Sequence, residues 1–98
     1  MKLKESNIIK IAKALNDRTR IKLLQEIASK GTITCTDALT IAKLSQPTVS
    51  HHINLLINSG LVNAKKDGRH LILSINKEYF NSFSDFLNQE KILCYNHC

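Results

Sequence analysis

Apolar positions along this 98-residue chain recur first at helical and then at alternating spacing, and the change of period divides it into elements. Ile8, Ile11, Ala12 and Leu15 share one helical face and predict a first helix over Ser6–Leu15. Asp17 offers an N-cap to a second helix whose inner stripe reads Ile21, Leu24 and Ala28, widened by Leu23 and Ile27, and Gly31 ends it. Thr34 and Asp37 have capping-box spacing, with Asp a shorter partner than the usual Glu or Gln, and open a third helix bearing Ala38, Leu39, Ile41 and Ala42. Val49, Ile53, Leu56 and Ile57 make the buried face of a fourth. Ser45 can cap it, Pro47 sits in its first turn, where a missing N–H costs nothing, and Gly60 stops it.

The alternation starts after Gly60. Leu61 to Lys66 and His70 to Ile75 flank Asp67-Gly68, a strong hairpin signal, with Leu71, Leu73 and Ile75 on one side of the second arm and Ile72 and Ser74 on the other. Asn76 can cap a fifth helix over Lys77–Glu90, in which Tyr79, Phe80, Phe83, Phe86 and Leu87 form a wide stripe. Three helices, a fourth, a two-stranded wing and a final helix make a mainly α fold with a small β-hairpin, the winged helix-turn-helix, as one domain over residues 1–98. The terminal stripe either closes the protomer's own core or pairs with the first helix across a homodimer. We expect the second, with Ile8, Ile11, Leu15, Tyr79, Phe83, Phe86 and Leu87 at that interface.

The polar side of the fourth helix carries chemistry. Near its N-terminus Gln46, Thr48, Ser50 and His51 point away from the apolar stripe, and they are short or planar hydrogen-bonding groups rather than the Glu/Lys mixture of a solvated face. A helix entering a DNA major groove needs such groups: Gln binds adenine bidentately, and a Thr methyl meets the thymine methyl. Ser45 and Lys43 lie towards the phosphates. The plainer reading is a set of ordinary helix-start residues. His52 stands nearer the packed side, where a structural role and a phosphate contact both remain open. In the wing, Lys65, Lys66, Arg69 and His70 are placed to follow the phosphate backbone or reach a minor groove, against the plainer reading of solubilising charge. Arg18, Arg20 and Lys22 are weaker candidates, with Arg20 open to burial against the core.

Charge agrees with that surface. Fourteen Lys and Arg against eight Asp and Glu give +6, which favours a polyanion, here double-stranded DNA. A chain of this length buries a modest core and gains from a second subunit. The N-terminal stretch mixes charged residues with isoleucines, and no apolar run approaches the roughly 20 residues that span a bilayer, so a cytoplasmic protein without membrane contact is expected. Cys35, Cys94 and Cys98 are too few and too unevenly placed for a secreted disulfide framework. No Gly-rich phosphate loop, HExxH or nucleophile beside a base suggests an enzyme. The rival class is a winged-helix protein-interaction module without specific DNA binding, which would show an exposed apolar patch on the fourth helix.

Three segments together resemble the ArsR/SmtB family of small bacterial winged-helix repressors: LNDRTRIKLLQEI (Leu15 to Ile27), SQPTVSHHINLLINSGLV (Ser45 to Val62) and KKDGRHLILSI (Lys65 to Ile75). The resemblance implies a homodimer, a palindromic operator and repression released by an effector. It also assigns His52 to the family's SxH histidine. Metal-sensing relatives carry two cysteines flanking one residue at the third helix, followed by Asp. Here the run is Thr34-Cys35-Thr36-Asp37, so both flanking thiols are threonines. The fifth-helix type of zinc site finds Asp85, Glu90 and His97, without the paired spacing. A separate candidate is the tail, where Cys94, His97 and Cys98 occupy i, i+3 and i+4. With Cys35 or a symmetry mate they offer ligands for zinc or arsenite, or thiols for a redox switch; an inert tail is the plainer reading.

Overall fold

Side-chain caps fix where the helices begin. Asp17 Oδ2 accepts from the amides of Thr19 (2.8 Å) and Arg20 (3.2 Å). Thr34 and Asp37 close a reciprocal capping box at 2.9 and 3.0 Å, and Asn76 Oδ1 accepts from the Tyr79 amide at 3.2 Å. The computed structural model describes residues 2–89. Its elements run α1 (Glu5–Leu15), α2 (Arg18–Lys30), β1 (Thr32–Thr34), α3 (Cys35–Ala42), α4 (Gln46–Asn58), β2 (Val62–Asp67), β3 (His70–Ile75) and α5 (Lys77–Leu87). The expected order is present, with β1 added.

That strand makes the wing a three-stranded antiparallel sheet of order β1-β3-β2. Thr32, Ile33 and Thr34 pair with Ser74, Leu73 and Ile72, and Ile33 and Leu73 are both buried. The base of the wing is thereby locked into the helical body. At the tip Asp67 pairs directly with His70, so the loop residues are Gly68 and Arg69 rather than Asp67 and Gly68. Gly68 has φ +63° and Arg69 is not in the positive-φ region, so the only left-handed position is the first of the two. Glycine belongs there in a type II′ turn.

The core gathers Ile11, Leu23, Ile27, Ile33, Val49, Leu56, Leu61 and Leu73, each below 2–3 % exposure, between the helices and the inner face of the sheet. Each such aliphatic side chain contributes about 1.5–3 kcal/mol relative to an exposed one. The inner stripe of α2 is rotated from the expected one. Arg20, Leu23, Leu24 and Ile27 point inward, whereas Ile21 and Ala28 are exposed. A buried arginine takes the first position of the stripe, and a reading that counts only apolar residues passes over it.

One interface expectation changes. Ile11 is fully buried in the protomer's own core and is unavailable to a partner. Tyr79 and Phe83 pack partly against that core, so the aromatic stripe closes the protomer along one edge. Its other edge remains open: Phe86, stacked on Phe83 at 6.4 Å between ring centroids, is half-buried, and Leu87 is exposed. Ile9 on α1 is 59 % exposed. The fifth helix ends at Leu87, short of Glu90, which lies outside the described residues together with Cys94, His97 and Cys98.

Candidate nucleic-acid interface

Residues 43–45 join α3 to α4 in a tight turn. Lys43 caps α3 in the left-handed region (φ 55°), its amide donating to the Leu39 carbonyl at 2.9 Å. Ser45 is the N-cap of α4 by backbone geometry, but its hydroxyl bonds the Thr48 hydroxyl at 2.8 Å rather than a helix amide. The Thr48 side chain is thus steered by its neighbour, and the Ser45 side chain caps none of the first-turn amides of α4. Those amides carry the positive end of the helix dipole.

Val49, Ile53 and Leu56 anchor α4 inward at 1–4 % exposure. Gln46, Thr48, Ser50 and His51 all project into solvent, with Lys43 and Ser45 beside them. These six form one exposed polar surface without an acidic residue among them. Lys65, Lys66, Arg69 and His70 are likewise exposed along the distal half of the wing. Arg18 and Lys22 are exposed near the start of α2.

His52 does not share that surface. It is 8 % exposed and lies against Arg20, whose Nη1 donates to His52 Nδ1 at 2.9 Å. A guanidinium has no acceptor, so this nitrogen must present its lone pair. Arg20 is itself buried and spends its other donors on the end of α1: Nε to the Ala14 carbonyl at 2.8 Å, Nη2 to that of Lys13 at 3.2 Å. Asp17 Oδ2 stands 3.7 Å from the same His52 nitrogen. Burial pushes the Asp17 carboxyl up, but the Arg20 amide, the Arg20 charge and the Thr19 amide outweigh it and hold it below the usual range. Sequence reading flagged Arg20 and His52 separately and missed their pairing. The available signal was position: Arg20 begins the 20, 23, 24, 27 stripe of α2, and His52 completes the 49, 52, 53, 56 stripe of α4.

Cys35 sits half-buried at the start of α3, where burial pushes its thiol above the ordinary value and keeps it protonated. With threonines at 34 and 36, this helix start lacks the second thiol of a paired soft-metal site. Among the described residues no group of three or more His, Cys, Asp or Glu is placed to hold a metal ion. Beside it, Asp37 is held below the usual carboxylate range, first by the Thr34 amide and hydroxyl, and further by the charges of Lys30 and His70.

A helix-turn-helix with an exposed polar second helix, followed by a cationic β wing, defines the class of winged helix-turn-helix domains. A helix-turn-helix domain family matches residues 15–63. A cadmium resistance transcriptional regulatory protein, a CadC homolog from Staphylococcus aureus, is 31 % identical over 88 residues, covering 88 % of this chain and 73 % of its own length. An arsenical resistance operon repressor from Staphylococcus xylosus is 35 % identical over 79 residues, covering 81 % and 71 %. The crystal structure of an ArsR family transcriptional regulator superposes with a TM-score of 0.81 at 28 % identity, covering 95 % of each chain. The chain belongs to the ArsR family of winged-helix transcriptional regulators. Among the described residues, no helix is long and apolar enough to cross a membrane.

Proposed function

We propose that this protein is a homodimeric, cytoplasmic transcriptional repressor that reads a palindromic operator in double-stranded DNA with α4 and grips the phosphates with its wing. One observation carries the reading: the exposed half of α4 presents Gln46, Thr48, Ser50 and His51 from a helix whose opposite face is buried in the core. The relatives named as resistance-operon regulators support it. The exposed Ile9 and Leu87, with half-buried Ile8, Leu15 and Phe86, support a two-fold partner across α1 and α5. Such symmetry would set two reading helices about one DNA turn apart. The same polar α4 face disfavours a protein-docking role, which calls for an exposed apolar patch. Regulation rather than catalysis is also what the relatives' names describe. Release by an effector follows from the family resemblance. The Cys35 position does not supply a soft-metal site, so a thiol switch or metal site using Cys94, His97 and Cys98 falls to residues outside the described ones.

The test is a fluorescence-anisotropy titration of reduced protein on duplex DNA from upstream of its own gene, beside a scrambled duplex at about physiological salt, repeated after mild thiol oxidation. Tight, sequence-selective binding is expected. Equal affinity for a duplex selected from random sequence and for its scramble would sink the repressor reading.

A further inference from the structure

The Asp17–Arg20–His52 cluster joins three elements at one point, with Arg20 and His52 buried and Asp17 part-exposed. Arg20 holds the last carbonyls of α1, Asp17 caps α2 through the amides of Thr19 and Arg20, and His52 belongs to α4. From this geometry we infer that His52 is a positioning residue that pins the reading helix to α1 and α2 through Arg20. The inference rests on the DNA-reading role proposed above.

One neighbour is bonded to the ring. The Arg20 guanidinium, 2.9 Å from Nδ1, can only donate, so this nitrogen presents its lone pair. The Asp17 carboxylate lies 3.7 Å from the same atom, outside hydrogen-bond distance, and accepts the two α2 amides instead. The Arg20–His52 bond is a polar link from α2 to α4, and removing its acceptor leaves a buried Nη1–H unsatisfied. Among the described residues, the charged and titratable groups recorded facing His52 are Arg20 and Asp17, both from α2 and its cap, and the His51 ring, 6.1 Å away on its own helix. The end of α1 takes part through the Lys13 and Ala14 carbonyls held by Arg20.

The pin is read as a difference between two variants at position 52. His52→Asn places an amide oxygen near the Nδ1 position and keeps the Arg20 bond. His52→Phe keeps a ring and removes the acceptor. The probe is a duplex that the wild-type chain selects from random sequence. At about pH 8, His52→Asn should bind within about twofold of wild type and His52→Phe about tenfold more weakly, within the usual range of coupling between sites.

In parallel, nitrogen NMR of the imidazole rings under the conditions of the binding assay should show the lone pair of His52 at Nδ1. A proton on Nδ1, or equal affinity of His52→Asn and His52→Phe, overturns the pin. Failure to select any duplex overturns the DNA-reading role and, with it, the regulatory half of this inference, while the NMR result still decides the hydrogen bond.

Discussion

The two surfaces that face the proposed DNA are built to different tolerances. The exposed half of α4 rides on a helix fixed by Val49, Ile53 and Leu56 and by the buried His52–Arg20 bond. The distal wing rests on a single ladder: among the described residues, β2 from Lys65 to Asp67 pairs with β3 alone, and β1 pairs with β3 at Ile72 through Ser74 nearer the base. Reading a base edge demands hydrogen-bonding groups held to a fraction of an ångström, whereas neutralising phosphate demands only charge nearby. The rigid surface carries Gln, Thr, Ser and His. The looser one carries Lys and Arg.

The largest break in that arrangement should come where the two regions meet. Gly60 follows α4 with φ +85°, and a Cβ there would overlap the Tyr79 ring. Gly60→Ala combines left-handed strain with overpacking and should cost roughly 3 kcal/mol or more in urea unfolding. The double variant Gly60→Ala/Tyr79→Ala should recover the part due to the clash, and no recovery would show that the strain alone acts.

Gln46→Ala comes next and sharpens the contrast. It should lower operator affinity by about 1–3 kcal/mol and leave scrambled DNA nearly unchanged. Equal loss on both duplexes would place Gln46 among the backbone contacts.

Asp17→Ala should cost about 1 kcal/mol at neutral pH through loss of the α2 cap. Because the native carboxyl lies below its ordinary value, its contribution is full above about pH 4 and disappears as pH falls through the lower native value. Wild type and variant should therefore converge in stability under acid, as urea melts across pH would record. A constant gap down to pH 2 would assign the loss to something other than the ionised carboxylate.

The smallest change belongs to the wing tip. Arg69→Ala should weaken binding to all DNA alike and reduce the salt slope by about one unit. An unaltered slope removes Arg69 from the phosphate contacts.

The sequence legibility of this fold follows the same division between repeated and single interactions. Helices announce themselves through several apolar positions and a cap, and Asp17, Thr34–Asp37 and Asn76 all act as their types suggest. Strand β1 was illegible because three residues, Thr-Ile-Thr, are too short to show a period, and their pairing with β3 lies some forty residues away. The turn was misplaced by one residue because Asp-Gly suits a loop on composition, while the ladder register decides which two residues occupy it. In the candidate site, the exposed α4 residues were legible from the face opposite the apolar stripe. The Arg20–His52 bond was not, since it depends on how α2 and α4 cross, and periodicity within either helix is silent on that.

The sheet order β1-β3-β2 has a consequence for solubility. Strand β2 lies at the edge, exposed from Asn63 to Asp67, and among the described residues one side of its backbone has no strand beside it, a template on which another chain could add one. Lys65 and Lys66 sit in the middle of that edge. The cations proposed to meet phosphate also make the edge a poor seat for a neighbouring strand, so the wing guards itself against self-association whenever it is away from DNA.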